Sequence, residues 1–588
     1  MTAFDDLVLV PRPRHVERRA AGAPVGTPVT TRPDTDLPVQ GFRLTIDDQH
    51  VHIDHRDALG LRYARQLLDQ MTAQAEDGHL PGVRIEDSPD IVHRGFMLDI
   101  SRDRVPTRAT LERLVALCAL ARYTQLQLYM EHTFTYRDHG VVWQDASPMT
   151  PAHLTWLDGL CADHGIELVP NQNCFGHMAR WLAHPEYRDR AECPDGWELM
   201  PGVVLPPSVL APTPGNAAFA LGLLDELLPS FRSRQVNIGC DEPFELGHGA
   251  SASIVADQGV GSVYVDHVDR LAGPLVDRGY TVQVWADVLR RHPELAGRLP
   301  DGTVLVAWCY EAPPADGPLE LPRPVAEIME RLGTDATAFA GFGPQVAPLA
   351  EAGVPFWVAA GTSGWSSLVG RLDNARANLV DAAETAIAHG SEGYLVTDWG
   401  DNGHHQPPSV SFAPLVYGGA VAWGLDANRD LPLGAVLDRH VFGDATGSLS
   451  TAVERLGRQW ARTGQRAVNG SPLSAGLFPR ELHMVFGRPD PDRVRTVVDE
   501  VETAMTELAA ATPTAVDGET TIRELTQAAR MARHGAWRLL GDAGPGPEAL
   551  VEDMAALVEG QTVAWLDRSR PGGLSDSLAR LDPGLATP

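Results

Sequence analysis

Asp241 and Glu242 stand side by side at the end of Asn237-Ile238-Gly239-Cys240-Asp241-Glu242, immediately before Pro243. Two acids in one cavity are equipment for proton transfer; two acids on a solvated loop are not. Val236 and Ile238 are apolar strand formers, and Gly239 and Cys240 are small. Neighbouring residues on a strand point to opposite faces. Both carboxylates can therefore serve one site only where the strand ends and the backbone turns. Pro243 favours that by biasing Glu242 away from the helical region.

The elements that must hold these acids recur along the chain. Apolar runs at Gly95–Ile100, Gln125–Met130, Ile166–Pro170, Gln235–Gly239, Thr281–Ala286, Val304–Trp308, Pro355–Ala360 and Gly393–Thr397 read as eight strands. Helical stretches alternate with them: Arg108–Ala121, Pro151–Asp163, Ala217–Leu228, Val263–Val276, Val325–Leu332 and Asn374–Ala388. Such alternation predicts an α/β fold, a (β/α)8 TIM barrel over residues 91–428. A doubly wound sheet competes, but no GxGxxG turn follows a first strand. Residues 1–90 read as a small N-terminal α/β domain, with strands at Leu7–Val10, Phe42–Ile46 and Val51–Ile53, a helix over Asp57–Ala75 and a Pro/Thr/Gly-rich loop from Ala20 to Leu37. Residues 429–588 read as a C-terminal helical domain without strands, its helices at Leu449–Arg462, Arg493–Ala511, Thr520–Leu540 and Glu548–Leu566.

Barrel sites lie at the C-terminal strand ends. Strand one begins with Arg94 and ends with Asp99, Ser101 and Arg102; strand two ends in Glu131-His132. Strand three runs into Asn171, Asn173 and His177, and strand four supplies the acids. Strands five to eight end in Trp285 and Asp287; Trp308, Tyr310 and Glu311; Thr362, Ser363 and Trp365; and Asp398, Trp399 and Asp401. Acids and tryptophans in register with strand ends suit a sugar, whose apolar faces stack on indole and whose hydroxyls bond to polar side chains.

These segments resemble glycoside hydrolase family twenty, the β-N-acetylhexosaminidases. Asn237 to Glu242 is similar to that family's His-x-Gly-Gly-Asp-Glu. Arg94-Gly95-Phe96-Met97-Leu98-Asp99 resembles its Arg-Gly-x-Met-Leu-Asp, Pro170 to His177 its third-strand motif at Pro, Gly and His, and Trp399-Gly400-Asp401 its late Trp-x-Glu. The resemblance implies a reaction in which the substrate's 2-acetamido oxygen attacks the anomeric carbon. Glu242 would be the general acid and then the base, and Asp241 would hold the acetamido N–H and the developing positive charge. Arg94 would bind ring hydroxyls and Asp401 a distal one, while Trp285, Trp308 and Trp399 would wall the sugar. His177 would support the acid together with Glu131 or His132. Asn173, Tyr310 and Trp365 complete the expected binding set. The chain departs from the family at Asn237, Cys240, Asn171 and Asn173, and no Tyr follows strand seven to grip the acetamido oxygen; Tyr310 is the candidate substitute. A conventional retaining β-glycosidase and a sugar-binding barrel without turnover remain as rivals.

Composition narrows the rest. The net charge of −29 disfavours nucleic acid and anionic membrane as partners, and no apolar run is long enough to span a bilayer. The 588 residues contain no lysine, which excludes Schiff-base chemistry and a phosphate-loop lysine. Six cysteines without CxxC spacing read as reduced thiols, and Met1–Val10 lacks the features of a secretory signal, so the expected location is cytoplasmic. His404-His405 lies near Asp398 and Asp401, but adjacent histidines diverge, and neither metal nor cofactor is expected. The expected partner is a small oligosaccharide or glycoside, with the helical tail available for a homodimer contact.

Overall fold

The computed structural model describes residues 4–75, 77–314, 317, 321–334 and 336–581. The outermost residues of the expected first and last domains, 1–3 and 582–588, lie outside these. Strands β1 (His15–Arg18), β2 (Val29–Pro33), β3 (Phe42–Ile46), β4 (Val51–His55) and β5 (Val83–Asp87) form one sheet in the order β1-β5-β3-β4-β2. The helix Ala58–Thr72 covers it, started by Asp57, whose side chain accepts the Gly60 N–H.

Two expectations for this region are corrected. Leu7–Val10 forms no strand. Its backbone is met by one glutamine of the helix and one just past its end: Gln74 Oε1 accepts from Val8 N and Gln70 Oε1 from Val10 N, while their amides donate back to the same residues' carbonyls. The stretch read as loop from Ala20 to Leu37 contains β2, an exposed edge strand with no buried face to mark it.

The barrel closes from β6 (His93–Asp99), β7 (Gln125–Met130), β8 (Glu167–Gln172), β9 (Gln235–Asn237), β10 (Thr281–Trp285), β11 (Thr303–Trp308), β12 (Phe356–Gly361) and β13 (Gly393–Asp398). Each strand runs parallel to the next, and β13 returns to β6. Part of the barrel interior is polar. Gln127 Nε2 donates to Gln125 and Gln283, both at 2.8 Å, and Gln127 Oε1 accepts from Asn171 Nδ2 at 2.8 Å. This explains the Gln-Leu-Gln alternation of β7: its inward amides bond to one another and to Gln283 and Asn171 across the barrel, leaving Asn171 Oδ1 without a partner among the described residues. Only short 3-10 turns follow β10. A helix missed in the sequence, Gly343–Glu351, precedes β12; its internal Pro348 hid the pattern.

Beyond the barrel, helices Pro491–Ala510, Gly518–Leu539 and Pro547–Arg568 pack side by side. Strands do not vanish there, because Arg466–Ala467 pairs with Val485–Phe486. The tail is fastened to the loops that follow β6 and β13. Arg104 donates to the carbonyls of His404 and Gln406 at 2.8 and 2.6 Å and lies over the Trp565 ring. The Arg568 carbonyl accepts from Thr107 N, and the Arg568 side chain is held by Glu524 and Asp517. No helix among the described residues is long and apolar enough to cross a membrane.

Candidate active site

The short strand β9 decides the geometry of the acids. Past Asn237 the backbone leaves the sheet, with φ at +67° for Gly239, +67° for Cys240 and +47° for Glu242. These left-handed steps turn two neighbouring side chains into the same cavity. For a non-glycine residue each step costs on the order of 1–3 kcal/mol and persists only where the surroundings enforce it. Enforcement is visible: a Cβ on Gly239 would meet the Asn173 side chain at 2.5 Å, and one on Gly176 would meet the Asp241 carbonyl at 2.2 Å. Asn237 Oδ1 accepts from Gly239 N at 2.9 Å and so helps to close the turn.

Asp241 is buried. Its Oδ1 accepts from Asn173 Nδ2 at 2.6 Å, and its Oδ2 is 3.2 Å from His177 Nε2. Burial opposes the charge on both groups, but their mutual attraction wins. Asp241 titrates below the usual carboxylate range, and His177 is raised well above its ordinary value. The same His177 nitrogen is 3.4 Å from Glu242 Oε2, so one imidazolium serves both acids. The side chain of Glu242 is 36% exposed against 8% for Asp241. Behind them, Asp287 Oδ2 accepts the Glu242 N–H at 2.9 Å; burial and the nearby Asp241 charge push that carboxyl up to about 7.

Aromatic rings close the cavity. Trp285 and Trp399 meet at 6.0 Å between centroids, Trp308 stacks on Tyr310 at 5.2 Å, and Trp365 stands edge-on to Tyr310 at 5.1 Å. Trp399 Nε1 donates to the Tyr310 hydroxyl at 2.9 Å and Trp365 Nε1 to Asn469 Oδ1 at 2.9 Å. The Trp285 Nε1 is buried with no partner among the described residues. Across the pocket, Arg102 reaches Asp99, Glu131 and Asp401 at 3.0, 3.2 and 3.1 Å. Thus Asp241, Glu242, His177, Trp285, Trp308, Tyr310, Trp365, Trp399 and Asp401 line one pocket, joined by Arg102 and Asn469. Such a pocket can grip an uncharged polar ring through its faces and edges while two differently placed carboxyls act on one bond.

The fold is shared with solved structures. A β-N-acetylhexosaminidase from Bacteroides fragilis superposes with TM-score 0.55 at 16% identity, over 74% of this chain and 95% of that one. A chitobiase from Flavobacterium johnsoniae superposes with TM-score 0.54 at 12% identity, over 99% of this chain and all of its own, 100%. In sequence, a β-N-acetylhexosaminidase of Cellulomonas fimi is 27% identical over 323 residues, which are 52% of this chain and 60% of that relative. Residues 10–88 match the family described as glycosyl hydrolase family 20, domain 2. Residues 10–88 thus match that family's domain 2, and the fold of the chain is the one those solved structures share.

The position that the resemblance implies for Arg94 is corrected. Arg94 opens β6 at the opposite end of the barrel, fully buried against the leading domain. It donates to the carbonyls of Ile91, Val92 and Arg122 at 2.6, 2.9 and 2.9 Å and to Gln40 Oε1 at 2.8 Å, and desolvation lowers its pKa to about 10. It cannot touch a ligand among the tryptophans. The arginine in the pocket is Arg102, seven residues on from β6's second residue's neighbour Gly95. Arg94→Ala is expected to lower the melting temperature, since each buried acceptor left unsatisfied costs about 1–3 kcal/mol. The KM of the folded fraction should not move, which melting curves and steady-state kinetics on the same preparation would check.

Glu131 and Asn173 do not line the pocket either. Glu131 stands behind it, between Arg102 and the Tyr129 hydroxyl at 3.0 Å, and 3.9 Å from His177 Nδ1. Asn173 lies beneath Asp241. His132 pairs with Asp103 at 2.7 Å, apart from the acids. His405 is occupied by the carbonyls of Asn402 and Ser577. Among the described residues no group of three His, Cys, Asp or Glu side chains could hold a metal.

Asn469 was not legible. It sits in a left-handed turn, φ +50°, and its N–H is fixed at 2.7 Å by Glu311, itself doubly bonded to Arg371. Nothing in its local sequence announces a pocket residue some seventy positions past the last barrel strand.

Proposed function

We propose that the chain is an exo-acting β-N-acetylhexosaminidase that releases terminal N-acetylglucosamine or N-acetylgalactosamine from small glycosides, using the substrate's acetamido oxygen as the nucleophile. The observation that carries this reading is the unequal placing of the two acids. Asp241 is buried and kept anionic by His177 and Asn173, as a group must be to orient an acetamido N–H and face a positive oxazolinium. Glu242 stands more exposed at the side of the pocket, as a group must be to protonate a leaving oxygen and then admit water.

Two donors are available for the acetamido carbonyl in place of the absent tyrosine. One is the unpartnered Nε1–H of Trp285; the other is the Tyr310 hydroxyl, whose oxygen accepts from Trp399 and whose own proton can be given. Arg102 and Asp401, paired at 3.1 Å, would bind ring hydroxyls. The Cellulomonas and Bacteroides relatives, both β-N-acetylhexosaminidases, agree with this assignment. The six buried free cysteines suit a reducing compartment, and a cytoplasmic location is part of the proposal; cell fractionation tests it.

Release of nitrophenol from a panel of aryl β-glycosides tests the function. Activity confined to the N-acetylhexosaminides and strong inhibition by an oxazoline mimic are expected. Cleavage of glucosides and galactosides at equal rates, untouched by the mimic, would replace the proposal with a conventional retaining mechanism.

A further inference from the structure

A second and larger cavity begins where the sugar pocket ends. Glu242, Trp308, Tyr310 and Asn469 line both. The second encloses about 1560 Å³ of empty space counted to its open side, against about 470 Å³ for the pocket on the same measure. Its surroundings are largely apolar and include Leu246, Val288, Met329, Leu332, Phe339 and Met484. This lining is built rather than incidental: Phe244 and Leu332, on its wall, pack against a small core of Cys193, Trp197 and Leu199 outside the barrel. Polar residues line it too, among them Arg290, Arg291, His248 and Thr334, and several polar groups around it are already engaged. Glu311 holds Arg371 and the Asn469 N–H, Asp287 holds the Glu242 N–H, and Arg331 donates to the Glu198 carbonyl.

We infer that this groove binds the leaving group of the substrate, and that the substrate class is β-N-acetylhexosaminides of apolar alcohols, alkyl or aryl, rather than oligomers of amino sugar. The inference rests on the proposed hydrolysis and extends it. Glu242 stands on the boundary, so a sugar held among the tryptophans must carry its glycosidic oxygen past that carboxyl and its aglycone into the groove. The step balances. The bond from the anomeric carbon to the aglycone oxygen breaks as the acetamido oxygen bonds to that carbon and Glu242 gives the aglycone oxygen its proton, so the aglycone leaves as a neutral alcohol. Water then bonds to the anomeric carbon as the bond to the acetamido oxygen breaks, and a proton of the water passes to Glu242. Each hydroxyl that a second sugar unit set against Val288, Met329 or Phe339 would lose its hydration without replacement, and only those beside Arg290, Arg291 or His248 would find a partner. An alkyl chain loses nothing there and gains burial.

The test is kcat/KM for methyl, propyl and hexyl β-N-acetylglucosaminides, with N,N′-diacetylchitobiose for comparison. A fully buried methylene is worth about a fourfold gain. A rise of roughly 30-fold or more from methyl to hexyl is expected, with the hexyl glycoside preferred to the disaccharide. Leu332→Ser and Met484→Ser should each flatten the series. The hexyl-to-methyl ratio is read within each variant, so any loss of folded protein cancels. A flat series with the methyl glycoside cleaved, preference for the disaccharide, or a rise unchanged in both variants would overturn the inference and leave the hydrolase reading intact. Failure to cleave any N-acetylglucosaminide would remove both.

Discussion

Glu242→Gln is expected to lower kcat by about 10²–10⁴-fold, the range for loss of a positioned proton donor. Glutamine is close to isosteric, keeps the same backbone demands at φ +47°, and retains a carbonyl oxygen 3.4 Å or so from the position His177 Nε2 faces. The pocket should survive; what disappears is the capacity to give and retake a proton. That distinction can be read from leaving groups. A nitrophenolate departs with little help, so its glycoside should lose the least. An alkyl alkoxide needs protonation as it departs, so the alkyl glycosides should lose the most. Equal losses on both substrates would mean that position 242 acts through binding, and the acid assignment would fall. A variant with unchanged kcat on alkyl glycosides would end the mechanism altogether.

How much of this was legible beforehand depends on where the information is stored. Most of the barrel strands are legible because parallel strands covered on both faces are near-continuous apolar runs, as in β12, Phe356–Gly361; β7, Gln125–Met130, is legible instead from its strict alternation. Trp285, Trp308, Trp399 and the two acids could be read because a barrel's chemistry follows directly after such runs. Arg94 was misplaced although the same rule excludes it: it opens a strand, and Arg102, at the far end, was already visible there. The resemblance to Arg-Gly-x-Met-Leu-Asp implies a binding role for its first residue, whose work here is to satisfy three carbonyls beneath the barrel. Asn469 and the paired glutamines at Leu7–Val10 belong to another kind of information. Each depends on a partner more than fifty residues away, Glu311 and Trp365 in one case and Gln70 and Gln74 in the other. No local pattern encodes such a pairing. The exposed strand β2 was missed because alternation is visible only where one face is buried.

Asp241→Asn should cost about 10²–10³-fold in kcat on N-acetylhexosaminides, comparable to removing one preorganised group that faces developing charge. The asparagine can still accept from Asn173, so the site should keep its shape while losing the anion that the proposed mechanism sets against the oxazolinium. The pH dependence of stability supplies an independent reading. Asp241 titrates below its ordinary 3.8, so its contribution is present above that pH and lost as the pH falls through the lowered folded value. His177 is raised above its ordinary 6.5, so its contribution is fully present below 6.5 and lost as the pH rises through the raised folded value. The pair therefore stabilises the fold most between about pH 4 and 6.5, and the variant's deficit in melting temperature should be larger at about pH 5 than at about pH 9. The imidazole should also titrate lower in the variant, with Glu242 at 3.4 Å and Glu131 at 3.9 Å left beside it, which proton resonances of His177 would report. A deficit equal at both pH values would show that the two groups do not face each other as ions, and Asp241 would then lack the standing charge that its part in the reaction requires.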